Sequence, residues 1–417
     1  MKKILLMLSM LLILSGCSGL GGSSVETSDE PKLTAEEQAA LHREETLVPL
    51  LEQAETLALG YYYEEALACL DSVSEEFAND PEVIAAIETY TAASQAFVPY
   101  ENPVRHIFFH SLIVDTSLAF DGDHMSNGYN YWMTTVDEFK AMLEELYKNN
   151  YILIDIHDLN TETVDENGNV TLVPNAPLVP EGKIPLVLSV DDVNYYEYMQ
   201  KDGFARKLLI DENGDVKNLY IDPEGNELIG DYDVVPILDS FVKEHPDFSL
   251  RGAKGIIALT GYEGTMGYRT NDFESPTYEQ DKADAKAVAD RMKETGWLFA
   301  VHGWGHRSAA KITLAHLSQD TARWKEEVGS LVGDTDIYIY PYGEEIDYPS
   351  DKLTYLQEEG YRYFCGVWTK PFVSVKDTYV RQTRCNLDGY NMITRPGSFS
   401  DLFDSSKVLD PTRPELE

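Results

Sequence analysis

The sequence predicts an α/β protein, and three observations support this fold class. From about residue 100 onward, short apolar runs rich in β-branched and aromatic residues alternate with segments of helical periodicity, as in strand-helix units around a parallel sheet. The chain has 417 residues, more than one typical domain needs, and 43% of them are hydrophobic. It can therefore bury a large core, either as a parallel barrel or as a doubly wound sheet.

The individual elements follow from these patterns. The apolar runs predicted to be strands are Ile107–Phe109, Tyr151–Ile156, Ile184–Val190, Gly255–Leu259, Leu298–Val301, Ile337–Tyr340 and Tyr363–Val367. The segments predicted to be helices are Val136–Lys148, Val234–Glu244, Gln280–Thr295, Ala322–Val332 and Asp351–Glu359. Asp- and Gly-containing stretches at 165–169, 211–215 and 222–226 predict hairpin turns, with calcium loops as the alternative.

The first residues predict an export signal. Lys2 and Lys3 precede the apolar stretch Ile4–Leu14, which is too short to span a bilayer. Leu14-Ser15-Gly16-Cys17 resembles the lipobox of bacterial lipoproteins, which implies cleavage before Cys17 and acyl chains on its sulfur. We therefore expect a lipoprotein signal peptide at residues 1–16 and a protein anchored by lipid to the cell membrane, facing the extracellular side.

A tether and a helical region come next. Residues 17–32 are rich in Gly, Ser and acidic residues and predict a flexible tether, whereas residues 33–99 predict helices that begin at a capping box of Thr34 and Glu37. Part of this region, Leu59–Leu67 and the later Asn79-Asp80-Pro81, resembles a tetratricopeptide helix pair. The region is either a spacer that packs on the next domain or a binding site for a protein partner.

The net charge of the chain bears on its possible partners. The chain has 72 acidic and 33 basic residues, a net charge of −39, so it repels nucleic acid and we expect no nucleic-acid partner.

Beyond Cys17, the cysteines are Cys69, Cys365 and Cys385, which form no disulfide framework. A bridge between Cys365 and Cys385 and a pair of buried free thiols both remain open.

Two pairs of polar residues follow predicted strands. Asp191 and Asp192 end the apolar run Ile184–Val190, and His302 and His306 follow the run that ends at Val301. The carboxyl ends of parallel strands gather at one mouth of a barrel, so these side chains are predicted to meet there. Adjacent aspartates point in different directions, which permits one to bind a metal ion and the other to accept a proton, and imidazoles four residues apart can bind the same ion.

These residues resemble three motifs of the polysaccharide deacetylase family, which is carbohydrate esterase family 4 with the NodB homology domain. The family's Thr-Phe-Asp-Asp-Gly motif corresponds to Ser189–Val193, its His-Ser/Thr-x-x-His motif to His302–His306, and its Arg-x-Pro-Tyr/Phe motif to Ile339–Tyr342. The motifs occur in the family's order. The resemblance implies a distorted (β/α) barrel over residues 100–400, with an insertion around 194–231 and a C-terminal tail at 401–417.

The resemblance also implies an activity: hydrolysis of the amide of N-acetylated sugars in an extracellular or cell-envelope polysaccharide. Asp192, His302 and His306 would hold one divalent metal ion, with zinc expected first and cobalt, nickel or manganese as alternatives. Asp191 would be the general base, and the backbone N–H of Tyr342 would donate to the oxyanion.

The sequence departs from the family pattern at two positions. Ile339 replaces the arginine that orients the base, and no histidine follows His316 to act as the general acid. His110 is the candidate we select for the acid, and Arg381 or Arg384 for orienting Asp191. Because the usual acid is missing, hydrolysis of acetyl esters and a non-catalytic, glycan-binding protein remain open as alternatives.

Overall fold

The computed structural model describes residues 33–168 and 170–416. The predicted signal peptide, Cys17 and the tether lie outside these residues. Helices in the described part are α1 (Ala35–Thr46), α2 (Val48–Leu59), α3 (Tyr63–Asp71), α4 (Pro81–Ser94), α5 (Thr116–Ala119), α6 (Ser126–Trp132), α7 (Val136–Lys148), α8 (Val234–Glu244), α9 (Tyr278–Glu294), α10 (Leu314–Trp324), α11 (Ser330–Val332), α12 (Asp351–Glu358) and α13 (Gly389–Thr394).

The strands include all seven predicted ones and several others. They are β1 (Phe97–Pro99), β2 (Arg105–Phe109), β3 (Tyr151–Leu153), β4 (Asn160–Val164), β5 (Val170–Pro174), β6 (Leu178–Pro180), β7 (Ile184–Asp191), β8 (Lys207–Ile210), β9 (Val216–Ile221), β10 (Glu227–Gly230), β11 (Ile256–Leu259), β12 (Leu298–Val301), β13 (Ile337–Ile339), β14 (Tyr363–Val367), β15 (Val373–Lys376) and β16 (Tyr379–Asn386).

Two predicted boundaries are wrong by more than two residues, for local reasons. The strand predicted to reach Ile156 ends at Leu153, because the Asp155 side chain accepts from the His157 N–H and begins a 3₁₀ turn. The helix predicted over Ala322–Val332 begins earlier, at Leu314, where Thr313 caps α10. A π-helical segment, Lys325–Gly329, then continues α10 into α11.

A closed parallel barrel organises the chain. Its seven strands pair in the order β2, β7, β11, β12, β13, β14, β16 and back to β2, with every pair parallel. Strand β3 joins β7 in parallel outside the ring, and β15 pairs with β16 in antiparallel fashion. The predicted barrel is thus confirmed. All seven strands end at one mouth because a parallel barrel gathers its carboxyl ends there.

Side chains alternate between the two faces of the barrel wall. On β2, Ile107 and Phe109 join the large apolar cluster that contains Phe139 of α7, whereas His106 lies on the other face. A second cluster of smaller apolar side chains, including Val187 and Ala258, fills the interior. On β7 the same interior row continues through Ser189 to Asp191, so the lining changes from apolar to polar toward the carboxyl mouth.

The predicted turns are hairpins. The 211–215 turn joins antiparallel β8 and β9, and the 222–226 turn joins β9 and β10, so the insertion after Asp192 contains a three-stranded sheet. The stretch beginning at Asp165 joins β4 and β5. In each turn the first aspartate accepts hydrogen bonds from backbone N–H groups of its own turn, which explains the Asp at that position without a calcium ion.

The described part of the chain divides into two units, with the boundary between Pro49 and Leu50. In the first unit, the predicted capping box is present, because Thr34 and Glu37 exchange side-chain and backbone hydrogen bonds. In the second unit, α3 and α4 form the predicted helix pair, with Asp80 capping α4 at Pro81. None of the helices in the described residues is both long and apolar enough to cross a membrane.

A buried ion pair holds the C-terminal segment against the barrel. The guanidinium of Arg413 donates to both carboxylate oxygens of Glu138 on α7, and it also donates to the carbonyls of Asn130 and Met133 at the end of α6. The carboxylate of Glu138 is fully buried. Arg413 therefore fixes the position of the segment that carries Trp132.

We predict that Arg413→Met lowers the free energy of unfolding by about 3–5 kcal/mol, because it leaves Glu138 buried without its cationic partner. Urea denaturation measures this change. Adding Glu138→Gln to the variant is expected to restore part of the loss. The control Lys407→Met removes an exposed cation and is expected to change stability by about 0.5 kcal/mol or less. Equal effects of the two methionine variants would contradict the role of the pair.

Candidate functional site

Two adjacent aspartates end β7 at the carboxyl mouth of the barrel. Asp191 is the last residue of the strand, is buried, and pairs with Ala258 of β11. Asp192 follows with a φ of 57°, in the left-handed region that residues other than glycine rarely adopt. This change of backbone direction separates the two carboxylates, as the sequence predicts, and gives them different partners.

Asp192 lies between a tyrosine and a histidine. The Tyr196 hydroxyl donates to its Oδ1 at 2.8 Å, and its Oδ2 is 3.7 Å from Nε2 of His306. Burial and the negative charge of Asp192 raise the pKa of Tyr196 far above its usual value, so the hydroxyl remains a donor. Tyr196 therefore orients the Asp192 carboxylate. Sequence reasoning assigned it no such role, although it is four residues from Asp192.

The two histidines converge through an unusual turn. His302 follows β12, Gly303 has a φ of 69° and His306 a φ of 48°, which brings the two rings to 4.9 Å between centroids. A side chain is disfavoured at the φ of Gly303, so glycine suits this position. Burial lowers the pKa of His302, which keeps its imidazole neutral, and Nδ1 of that ring lies 2.9 Å from the carbonyl oxygen of Ile339. A neutral ring that donates from Nδ1 has Nε2 free to bind a metal ion.

Asp192, His302 and His306 together fit a divalent metal ion. Each offers one ligand atom, and these three atoms lie within 4.8 Å of one another. One carboxylate and two neutral imidazoles are a donor set that zinc and neighbouring transition metals accept. Both His302 Nδ1 and Asp192 Oδ1 have hydrogen-bond partners of their own, as is usual for metal ligands.

Asp191 is paired with a buried arginine. Arg384 on β16 donates from Nη1 to Oδ1 at 2.6 Å and from Nη2 to Oδ2 at 2.9 Å. Burial by itself would raise the pKa of Asp191, but the charge of Arg384 and its hydrogen bonds hold the pKa well below its usual value. The carboxylate is thus ionised, and its Oδ2 lies 3.8 Å from Nε2 of His302.

A buried network holds Arg384 in place. His106 on β2 lies 2.9 Å from both Gln382 Oε1 and Ser189 Oγ, and Arg384 donates to the same Ser189 oxygen. Burial and the charge of Arg384 lower the pKa of His106 to about 3. The imidazole is therefore neutral, and the one consistent arrangement has Nδ1 donating to Gln382 and Ser189 donating to Nε2. His106 and Ser189 are thus neutral neighbours of the pair of Asp191 and Arg384 and bring no competing charge to it.

These groups line one open cavity of about 520 Å³. The metal-ligand candidates share it with Asp191, Arg384, Tyr342 and His110. Tyr342 has a φ of 61°, is largely exposed, and packs its ring against His306 at 4.5 Å. The Nδ1 of His110 is buried without a hydrogen-bond partner. The structure thus brings together all six candidate site residues that the sequence predicts.

The two candidate arginines differ in their partners. Arg384 binds Asp191, whereas Arg381 binds Glu345, so only Arg384 can orient the predicted base. Both cysteines near this region, Cys365 and Cys385, are buried free thiols.

Sequence reasoning missed Asp388, which also lines the cavity. Burial raises its pKa to about 7, and its carboxylate caps α13 by accepting from the backbone N–H of Asn391. The Nδ2 groups of Asn386 and Asn391 donate to its other oxygen. These contacts account for Asp388 as a helix cap, which a Leu-Asp-Gly sequence before a short helix could have indicated.

One family model matches part of the chain. The family model described as polysaccharide deacetylase matches residues 269–364, which contain His302, His306 and Tyr342. Among solved structures, the chain is similar to the Streptococcus pyogenes deacetylase PplD in complex with acetate, at 12% identity and a TM-score of 0.38, over 71% of this chain and 98% of that chain. Nothing matches among curated proteins.

The matched segment includes β12, β13 and β14 of the barrel, together with both histidines of the candidate metal site. Asp191 and Asp192 come from the earlier part of the chain, and the fold brings them to the same mouth. The predicted resemblance is therefore confirmed over residues 269–364, which match the polysaccharide deacetylase family model.

Proposed function

We propose that this protein is a metal-dependent deacetylase that removes acetyl groups from an extracellular or cell-envelope polysaccharide. The observation that carries the proposal is the convergence of three ligand atoms, from Asp192, His302 and His306, within 4.8 Å of one another beside the ionised Asp191. The cavity of about 520 Å³ that holds them is open to solvent and large enough for a sugar unit.

The metal is one divalent ion, with zinc expected first and cobalt, nickel or manganese as alternatives. Asp192, His302 and His306 would hold it, and when bound it would supply Lewis acidity toward water and the acetyl carbonyl. Tyr196 keeps the Asp192 carboxylate oriented, and the Ile339 carbonyl fixes the His302 tautomer. Two of the three candidate ligands are thus oriented by neighbouring groups of the chain itself.

Asp191 is the general base. Its carboxylate is buried 3.8 Å from a ligand nitrogen, so it lies beside the position of an attacking water. The two hydrogen bonds from Arg384 hold the carboxylate in one orientation and keep it ionised, which is the state that can accept a proton. Arg384 on β16 thereby takes the role of the family's arginine, whose position on β13 is occupied by Ile339 in this chain.

The remaining steps require an oxyanion donor and an acid. Tyr342 lies against His306 on the 3₁₀ turn Pro341–Gly343, where its backbone N–H is the proposed donor to the tetrahedral oxyanion. His110 follows β2 and faces the same cavity, and its unpartnered ring nitrogen suits a group that gains a partner only with substrate. We assign to it the proton delivered to the leaving amine.

Anchoring at the membrane is part of the proposal. Acylation of Cys17 would hold the domain at the extracellular side of the cell membrane, near envelope glycans. The helix pair of α3 and α4 offers a surface for a protein partner, but its packing serves a spacer equally well.

We predict that two site variants separate metal binding from catalysis. Asp191→Asn is expected to retain one equivalent of metal while kcat for acetate release falls by about 10²- to 10⁴-fold, the range for loss of a general base. His306→Ala is expected to weaken metal binding by more than about 100-fold, because loss of a group that only hydrogen-bonds to a ligand already costs up to roughly that much. The variant is expected to lose activity together with the metal. Metal analysis and acetate release from acetylated chito-oligomers and acetyl-xylan measure both effects.

The control for these variants is His316→Ala, which changes an exposed histidine outside the cavity. If the wild-type protein binds metal and releases no acetate from any of these glycans, the domain is a glycan-binding protein rather than an enzyme.

We predict that His110→Gln affects amides far more than activated esters. A general acid contributes about 10²- to 10⁴-fold when the leaving group needs a proton, as an amine does, whereas a nitrophenolate leaves without one. The variant is therefore expected to lose most activity on N-acetylated sugars and to keep its activity on nitrophenyl acetate. The control is His124→Gln, an exposed histidine. An equal loss on both substrates would exclude His110 as the acid.

We predict that Cys17→Ser abolishes membrane attachment. Expressed in a lipoprotein-exporting bacterium, the wild-type protein is expected in the detergent phase of a Triton X-114 separation because acyl chains partition there, and the variant in the aqueous phase. Cys69→Ser serves as the control. Recovery of Cys17→Ser in the detergent phase would contradict lipid anchoring at this residue.

A further inference from the structure

A second cavity adjoins the candidate catalytic cavity. It has a volume of about 430 Å³, and four of its lining residues, Trp132, Val367, Asn386 and Asn391, also line the first cavity. The two cavities are therefore parts of one continuous cleft. None of the proposed catalytic or metal-binding residues lines the second cavity, so the proposed chemistry leaves it unexplained.

Exposed aromatic side chains form much of this second cavity. Trp132 is 50% exposed and Trp368 is 61% exposed, although tryptophan is usually among the most buried residues on average. Tyr390 lies beside Trp132 at 5.7 Å between ring centroids, and the guanidinium of Arg395 lies over the Tyr390 ring at 5.7 Å. Exposed aromatic groups clustered in a concave surface mark a binding site, because leaving them in water costs free energy.

These aromatic groups stand on a well-fixed backbone. The N–H of Trp368 donates to the carbonyl of Arg384, and the carbonyl of Thr369 accepts from Arg105. Trp132 ends α6, which is held by Arg413. Since the backbone on both sides of the cavity is anchored to the barrel and to the C-terminal segment, the exposed rings are presented in place rather than on loose loops.

A polar atom at the junction of the two cavities lacks a partner. Asn386 lines both cavities, and its Nδ2 donates to Asp388 while its Oδ1 is buried without a hydrogen bond. A buried carbonyl oxygen without a donor is unfavourable, so this atom suits a ligand hydroxyl or amide. The same strand, β16, carries Arg384 of the catalytic cavity, two residues earlier.

We propose that the second cavity is a carbohydrate subsite, which binds the pyranose ring next to the acetylated sugar in the same glycan chain. This inference rests on the proposed function, since it takes the acetylated unit to lie in the first cavity. The apolar faces of a pyranose ring would stack on Trp368 and Tyr390, and Asn386 would accept from a hydroxyl at the junction. The protein thus selects a chain of linked sugars over a single acetylated sugar.

The test compares a single sugar with a short chain. N-acetylglucosamine and its β-1,4-linked tetramer are the amide probes, and acetylated xylose and acetylated xylotetraose are the ester probes. Wild-type kcat/KM is expected to be at least about 10-fold higher for the tetramers. Trp368→Ala is expected to raise KM for the tetramers by several-fold to about 10-fold, the range for loss of one aromatic contact, and to leave kcat and both monomer reactions unchanged.

Tyr390→Ala provides a second variant in the same cavity, and Phe273→Ala is the control because this ring is exposed outside both cavities. Equal kcat/KM for monomer and tetramer, with no change in Trp368→Ala, would overturn the subsite and leave the deacetylase in place. Quenching of tryptophan fluorescence measures binding separately. If the wild-type protein binds tetramers but hydrolyses none, and Trp368→Ala weakens that binding, the subsite stands and the enzymatic proposal fails. If the wild-type protein neither binds nor hydrolyses the tetramers, both the subsite and the enzymatic proposal are overturned.

Discussion

The buried ion pair between Asp191 and Arg384 is the interaction on which the rest of the site depends. Both side chains are almost fully buried, and removing one partner from such a pair costs about 3–5 kcal/mol. The pair connects β7 with β16, which flank β2 in the barrel wall. His106 on β2 fills the space between them through Ser189 and Gln382. The same pair thus links two strands of the barrel at its carboxyl end and orients the Asp191 carboxylate.

Backbone strain at the mouth of the barrel is concentrated in the same region. Asp192, His306 and Tyr342 all adopt left-handed conformations, which cost about 1–2 kcal/mol each for residues other than glycine. A barrel strand stabilises the conformation at Asp192, whose N–H donates to the carbonyl of Ala258. Such strain persists where surrounding structure determines the conformation, and here it turns three side chains back over the opening.

Most of the barrel and the candidate metal ligands could be predicted from local sequence. The predicted strands are apolar and β-branched, and the aspartates and histidines directly follow them, so their common location follows from parallel-strand geometry. Strand β16 could not be predicted this way. Its residues Arg381, Gln382, Thr383 and Arg384 are polar, and the periodicity of apolar residues on which strand prediction depends is absent. Gln382 and Arg384 are buried inside the barrel, where they have partners on β2 and β7.

The sequence by itself determined the alternation of strands and helices, the three candidate metal ligands and the aspartate beside them, since each depends on residue type and short-range spacing. Only the tertiary structure decided which arginine pairs with Asp191, that His106 supports this pair, and that Trp132, Trp368 and Tyr390 border one cleft. Those contacts join residues far apart in the chain. Their partners are set by strand order and barrel closure, which local patterns do not encode.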